Sequence, residues 1–491
     1  MKYSEYLSCK LHGMKTYKVL LYLSLLATTI TNTSYAQRNF GVANSDWSSM
    51  NSLFINPASI AGSHEKITIS LFSVNVGVDN NYGTFSSIGN LGSAFNSTDS
   101  GGNSLFHNSG RQTFSMMVPS AEIRGPGILI KINDRQSIAL TTRIRIMNQL
   151  SNFDQSLFNL ITNPTIVPNA DNKVSAQNFN WTAHIWTELG VTYAVSLIAD
   201  KNSELKAGIT LRYLGGVGYL ALKGKNLDVD YQSGKDSFYA SNSDLQYTSN
   251  IVSTRSAVFN GINASTLFGN FFGSSQGSGI GADLGVVYAF SPKGKDTYSD
   301  EPTSGNSYKI KLSASITDIG AINYNAKNNS TVNVTGNGYI TGKGLGDNAK
   351  NATDFKNYII GQGFNADTMS ASTKLYLPTA MVVGIDYKVY KKFFLNATYV
   401  ANLANAQNFG NTYYNQVTIT PRYDSKIFTV GMPITYSMLA NYMKVGLGFR
   451  VAGFFIGSDD MLALFSNNQY GFGFYAGAYI PLYKKEKETQ Y

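Results

Sequence analysis

Thr182-Ala183-His184-Ile185-Trp186-Thr187-Glu188-Leu189-Gly190-Val191-Thr192-Tyr193-Ala194-Val195-Ser196-Leu197 reads as one β-strand. Side chains alternate across a strand. Ile185, Leu189, Val191, Tyr193, Val195 and Leu197 therefore share one face, with Thr187 as the exception. His184, Trp186, Glu188, Gly190, Thr192, Ala194 and Ser196 share the other. One face is apolar and the other is polar or small.

The same alternation recurs along the chain. Ile138, Leu140, Ile144 and Ile146 alternate with Ser137, Thr141, Arg143 and Arg145. Leu205, Ala207, Ile209, Leu211 and Tyr213 alternate with Lys206, Gly208, Thr210 and Arg212. Further copies lie around Leu284–Phe290, Met381–Val389, Val445–Val451 and Phe472–Leu482. Segments of about ten alternating residues divided by turns are the signature of a transmembrane barrel whose apolar face meets lipid. A soluble β-sandwich or propeller is the alternative, with its apolar faces turned inward.

Two features favour the barrel. Tyr193, Tyr213, Tyr387, Tyr399 and Tyr479 punctuate segment ends, where an aromatic girdle belongs. The connections also differ sharply in length. Short turns fall at Asn133-Asp134, Asp200-Lys201-Asn202, Tyr390-Lys391-Lys392 and Asp424-Ser425-Lys426, against long stretches at 79–111, 149–181, 326–374 and 404–415. The spacing predicts an all-β, antiparallel transmembrane β-barrel of about fourteen strands, with twelve and sixteen as the neighbouring even counts. Directions can be assigned everywhere except near 439–470, where one hairpin has no place.

Composition agrees. The 491 residues are 43% hydrophobic but only 14% charged, against roughly 25% charged in an average soluble protein. Aromatics reach 13%, which argues against disorder. No apolar run is long enough to form a transmembrane helix. The net charge of +9 is dispersed along the chain, so nucleic acid is not an expected partner.

Basic Met14–Lys18, the apolar run Val19–Ile30 and Ser34-Tyr35-Ala36 form the three regions of a secretory signal peptide. Residues 1–36 are therefore read as a leader with its true start at Met14, and an outer-membrane location follows. The single cysteine, Cys9, falls in that leader, so the exported chain is expected to have no disulfide. Residues 37–65 precede the first strand, 66–483 form the barrel, and 484–491 form a charged tail.

Only His64, His107 and His184 lie beyond the leader, with no clustering of the kind a metal site needs. No metal, cofactor or enzymatic activity is expected. Charged side chains on the lipid face cost about 2–4 kcal/mol at midplane, so the pattern sends Arg143, Arg145, Arg212, Arg422 and Arg450 into the lumen. Glu188, Asp283 and Asp386 face them there, and His184, four residues from Glu188 on the same face and about 13 Å away by the strand rise, makes with it a polar pair lining the lumen rather than a direct contact. Such a set makes either an anion-favouring constriction, a latch on an inner segment, or a salt-bridge network that stiffens the barrel.

Before the first strand stands Asn56-Pro57-Ala58. Asn-Pro is a turn initiator and could simply shape the entry into that strand. Followed by a barrel, this motif resembles the long-chain fatty-acid transporter (FadL-type) superfamily of outer membranes. The resemblance implies a fourteen-stranded barrel with residues 37–65 as an N-terminal plug inside it. More closely, Gly279–Gly285, Thr317-Asp318-Ile319-Gly320, Tyr376–Thr379, Thr420–Tyr423 and Phe454–Asp459 resemble an outer-membrane β-barrel family of Bacteroidota that carries only a domain-of-unknown-function label. Type IX secretion barrels of the PorV and PorP types share a similar style.

The expected function is passive passage of a small, hydrophobic molecule through a plugged lumen. The alternative is a structural or docking subunit of an outer-membrane secretion or assembly complex. Outer-membrane lipid and lipopolysaccharide, a small hydrophobic ligand and other secretion or assembly proteins are the partners these readings imply. Wall arginines are expected to hold the plug through hydrogen bonds to its carbonyls and carboxylates; Asp46 and Glu65 are the only carboxylates between Gln37 and Lys66, so backbone acceptors would carry most of that contact.

Overall fold

The structure of the protein, a computed structural model, describes residues 39–48, 50–85, 106–108, 110–162, 173–232, 237–250, 276–292, 308–325, 330–348, 351–370, 372–465 and 469–483. The expected leader and the tail lie outside the described residues.

Twenty-one hydrogen-bonded segments make one large sheet. Four strands of its wall are each interrupted once, and three segments extend it beyond the wall, which leaves a closed barrel of fourteen antiparallel strands among the described residues. The wall runs Ile67–Asn80, 113–131, Gln136–Asp154, Lys173–Ala199, Ser203–Gln232, Gly277–Phe290, Ile310–Tyr324, 373–390, Phe393–Asn402, Gln416–Asp424, 428–437, 442–451, Phe454–Asp460 and Gly471–Leu482. Closure comes from the first strand pairing with the last, Ile67 opposite Leu482 and Asp79 opposite Gly471.

The interruptions have a chemical cause. Three fall at Pro126, Pro378 and Pro433, and one at Gly446. Proline has no N–H to give the ladder and glycine weakens a strand interior.

Tight turns gather at one end, at 133–135, 200–202, 391–392, 425–427 and 452–453. Lys391 and Ala452 adopt the left-handed conformation there (φ 42° and 51°), as short hairpin loops require. The hairpin missing from the sequence reading is made by three short strands. The turn 438–441 joins the eleventh to the twelfth, and 452–453 joins the twelfth to the thirteenth.

The alternation behaves as a barrel wall requires. Along 182–197, Val191, Tyr193 and Leu197 are exposed, while His184, Trp186, Glu188, Thr192, Ala194 and Ser196 are buried. Tyr193, Tyr213 and Tyr387 face outward. Tyr479 departs from the expectation: it is buried, and its hydroxyl donates to the Trp47 carbonyl at 2.9 Å, so it belongs to the lumen and not to the girdle.

The segment from 39 to 65 lies inside the barrel. It contains two single-turn helices, Phe40–Ala43 and Met50–Leu53, and a 3-10 turn at Pro57–Ile60. Met50, Leu53, Ile60 and Ala61 pack on Leu129, Ala139 and Ala194 of the second, third and fourth strands. Phe40, Ala43 and Ile55 pack on Ala380, Val382 and Val400 of the eighth and ninth. Val42 reaches Phe455, Tyr475 and Tyr479 of the last two. One short segment thus touches widely separated strands, which only a path through the lumen allows.

At the opposite end, the long strands 173–199 and 203–232 run beyond the wall. Ser237–Ser249, Thr331–Ile340 and Asn365–Ser370 continue their sheet. The helix Ala352–Gly361 packs on this extension through Phe355 and Ile359, in a cluster with Leu220, Tyr247, Val332 and Val334. Asn351 caps that helix by accepting from the Asp354 amide at 2.9 Å.

Candidate functional site in the lumen

Strand register brings the inward charges together in a mid-lumen layer. Arg143 stands directly opposite Glu188 and Glu122 opposite Arg145. Arg143 reaches Glu188 at 2.6 Å, Asp318 at 3.1 Å and Glu122 at 3.2 Å. Arg145 holds Asp318 at 3.0 Å and Glu188 at 3.4 Å. Arg212 pairs with Asp283 and lies 3.3 Å from Glu188. Arg124 completes the layer on Glu122 at 2.5 Å. Four guanidinium groups face four carboxylates, all buried.

Asp318 enters this layer through a break in alternation. Thr317 and Asp318 are both buried, Asp318 has φ 59°, and the ladder to the neighbouring strand slips between Ala282 and Leu284. A β-bulge of this kind re-aims a side chain. The Asp318 amide also donates to Asp283 at 2.7 Å.

A second cluster lies toward the tight turns. Arg422 binds Asp386 at 2.8 Å and Asp424 at 3.3 Å. Lys311 bridges Asp386 at 3.4 Å and Asp46 of the inner segment at 2.5 Å. Burial by itself would raise the Asp46 carboxyl, but Lys311 and Arg422 beside it hold it lowered, at about 2. Arg450 is inward-facing, yet it serves the turns: it donates to the carbonyls of Ser425 at 2.5 Å and Ala452 at 3.0 Å, and to Thr429 at 2.7 Å.

As their spacing along one strand face implies, His184 and Glu188 do not touch. His184 Nε2 lies 2.9 Å from the Tyr324 hydroxyl and its ring stacks on Trp186. Trp186 in turn donates to Glu188 at 2.7 Å. The residues are four positions apart on one face, and the Trp186 indole lies between them.

Above the charged layer the lumen is aromatic and apolar. Trp186, Leu214, Tyr219, Tyr324, Leu375 and Leu377 form one cluster. The long connection 403–415 folds down onto it, with Phe409, Tyr413 and Tyr414 packed against the cluster. Asn411 donates to the Thr182 carbonyl at 3.0 Å, Thr412 takes up Gln149, and the Tyr413 hydroxyl donates to Asp318 at 3.1 Å while contacting Arg145.

The inner segment closes the lower lumen. Asn56 donates to the carbonyls of Val286 at 3.0 Å and Ala314 at 3.1 Å, and accepts from its own Ala58 amide at 2.9 Å. Pro57 and Ala58 lie against Gly208, where an added Cβ would stand 2.5 Å from backbone atoms of both. Gly285 plays the same part under Asn56. Ser315 donates to the Ile55 carbonyl at 2.6 Å, and Asp424 accepts from Ser45 at 2.7 Å and the Asp46 amide at 3.1 Å.

The carboxylate part of the expectation is met at Asp46, which has Lys311 and Arg422 beside it, but the carbonyl part is not. The hydrogen bonds of Arg143, Arg212 and Arg422 go to wall carboxylates rather than to the segment's carbonyls. Arg124, absent from the sequence reading, holds the segment on Asn51 at 3.1 Å and over the Phe54 ring at 4.0 Å, and Arg143 lies over the same ring at 5.3 Å. Among the described residues no group of three or more His, Cys, Asp or Glu side chains is arranged to hold a metal ion.

A closed wall, an apolar exterior, a charge-balanced lumen and an inserted N-terminal segment together define a membrane β-barrel with a filled bore. The chain belongs to the family of unknown function DUF5723, which it matches over residues 57–459. No curated protein matches it. Among solved structures it is similar to a Pseudomonas aeruginosa FadL homologue, at 13% identity and a TM-score of 0.40, covering 91% of this chain and 96% of that one. It is also similar to the Pseudomonas putida toluene transporter TodX, at 10% identity and a TM-score of 0.30, covering 91% and 98%.

Proposed function

We propose that this protein is an outer-membrane barrel that passes a small hydrophobic molecule without energy coupling, with residues 37–65 as a plug that closes it at rest. The observation that carries this reading is the lining above the charged layer. Trp186, Tyr219, Tyr324, Leu214 and Leu375 pack beneath the loop 403–415 as a buried apolar and aromatic cluster with few polar groups, the chemistry of a site for a small apolar ligand once that loop lifts. Below it, the plug is held by hydrogen bonds from serine, asparagine and backbone groups. Each of these neutral bonds contributes about 0.5–1.5 kcal/mol, and the charged contacts of Asp46 with Lys311 and Asn51 with Arg124 about 1.5–3 kcal/mol each, which suits a closure that can be released.

The test is single-channel conductance in planar bilayers. Deleting 40–60 gives a folded, heat-modifiable barrel with conductance well above wild type. An apolar aromatic ligand quenches Trp186 fluorescence in the intact protein, and Trp186→Phe removes that component of the signal. Unchanged conductance from a folded deletion protein, with no quenching, overturns the reading.

A second reading, a docking subunit of a secretion or assembly complex, draws on a different observation. The sheet extension with its own core around Phe355, Ile359 and Val334 stands beyond the wall. Copurification of a stoichiometric partner, lost when 331–370 is removed, would favour it.

A further inference from the structure

The protein already carries a phenol in its lumen. Tyr413, brought down by the connection 403–415, packs its ring where two apolar clusters meet. One is that of Trp186 and Tyr324, and the other is that of Phe40 and Ile55 in the inner segment. Its hydroxyl reaches the charged layer at a single ion pair, accepting from Arg145 and donating to Asp318 at 3.1 Å. The Arg145 guanidinium stands 5.8 Å from the Tyr413 ring centroid and 4.8 Å from that of Trp186.

That ion pair fixes the chemistry able to replace the hydroxyl. Arg145 and Asp318 lie 3.0 Å apart and are both buried. One presents a hydrogen to be accepted, the other a lone pair to be filled. A carbonyl only accepts and an ammonium only donates, whereas a hydroxyl does both through one atom. The guanidinium groups of the layer are already matched by its carboxylates. A carboxylate arriving here would add an unmatched negative charge beside Asp318, and burying an unpaired charge is costly. A hydrocarbon would leave Arg145 and Asp318 each short of a hydrogen bond.

The connection that bears Tyr413 joins the ninth strand to the tenth and contributes no strand to the wall. Besides Tyr413, it is fastened by single hydrogen bonds, such as Asn411 to the Thr182 carbonyl and Lys223 to the Ala406 carbonyl, each at 3.0 Å. It can therefore rise without breaking the barrel.

We infer that the lumen site takes a phenol, a neutral aromatic molecule with one hydroxyl group, in the place of Tyr413. The ligand's ring lies on the surface of Trp186 and Tyr324, and its oxygen sits between Arg145 and Asp318. Tyr413 is an internal occupant that keeps the site closed until such a molecule displaces it. A phenol ionises at about pH 10, so it arrives uncharged at neutral pH. A site built to bond a hydroxyl discriminates strongly against the analogue lacking it, because its buried polar groups are then left unpaired. The inference rests on the channel reading and narrows it to one chemical class.

Titration of the full-length barrel in detergent with p-cresol, toluene and p-toluate tests it. The three share a ring and a methyl group and differ only in carrying a hydroxyl, nothing or a carboxylate. Binding is read from Trp186 fluorescence, excited beyond the phenol absorption band and corrected for partition into micelles. Wild type binds p-cresol several-fold more tightly than toluene, although toluene is the more apolar, and binds p-toluate more weakly than either. Tyr413→Phe removes the internal hydroxyl, tightens p-cresol several-fold and leaves toluene unchanged. Toluene binding as tightly as p-cresol in wild type overturns the inference without any variant and leaves the channel reading standing. So does p-toluate binding as tightly as p-cresol, or an unchanged p-cresol affinity in folded Tyr413→Phe. Quenching by none of the three overturns the inference and the channel reading together.

Discussion

Asp318 shows how one side chain can organise a lumen. Its carboxylate contacts Arg143, Arg145 and Arg212 and receives the Tyr413 hydroxyl. Asp318→Asn would leave three buried guanidinium groups short of a partner, and breaking a buried pair costs about 3–5 kcal/mol. Urea unfolding in detergent should show a loss of that size, with the inward fold of 403–415 becoming sensitive to protease. Asp46 supports a prediction about pH. Its carboxyl is held at about 2 by Lys311 and Arg422, below the ordinary value of about 3.9. A carboxyl depressed on folding gives stability that is present above its unfolded value and lost as pH falls through the folded one. The plug should therefore stay seated from about pH 7 to about pH 4. A conductance step inside that window would place the anchor on another group. The sequence pointed to the inward arginines because alternation carries them there. Asp318 was hidden by the bulge that breaks alternation, and the visible sign was two successive polar residues before Gly320. Glu122 and Arg124 were missed because Pro126 cuts their strand into two short stretches.

A strand of this wall has two solvents, hydrocarbon on one side and packed protein on the other. Val191 and Ala194 lie on the same strand and differ in which they meet, 47% and 0% exposed. Val191→Arg puts a charge into lipid at a cost of about 2–4 kcal/mol if it lies near midplane, and should reduce the amount of protein recovered from the outer membrane. Ala194→Arg enters the cluster of Leu53, Ile60 and Ala61; it should insert at near wild-type levels but raise conductance by unseating the plug. Equal insertion defects in both would mean the two faces are misassigned. Strand existence and face were legible because period two is a local property of the chain. The inward fold of 403–415 was not, because its contacts join residues far apart in sequence, Asn411 to Thr182 and Tyr413 to Asp318. Tyr479 was misread for a similar reason, since a tyrosine near a strand end suits a girdle or a lumen equally well.

The whole molecule is arranged so that the wall balances its own charge. The wall charges that Ser45 and Asp46 of the plug touch keep wall partners without it: Asp424 has Arg422, and Lys311 has Asp386. Removing 40–60 therefore leaves Asp424 and Lys311 paired, and heat-modifiable gel mobility of the deletion protein should match wild type to within a few degrees in its transition. A large fall would mean the plug is part of the wall's stability rather than a guest in it. The fourteen-strand outline could be read in advance from turns and alternation. How completely the bore is filled could not, because the plug's fit depends on where Gly208 and Gly285 leave room. The seam between the first and last strands also fixes the order of assembly. Ile67 cannot find Leu482 until nearly the entire polypeptide has been made, and bringing such distant positions together is the slow step in forming non-local sheets. Residues 39–65 are tethered directly to that first strand, so they are present at the open edge throughout the wait. The cylinder then shuts around a segment that was waiting beside its last gap, as a clasp closes on what already lies within it.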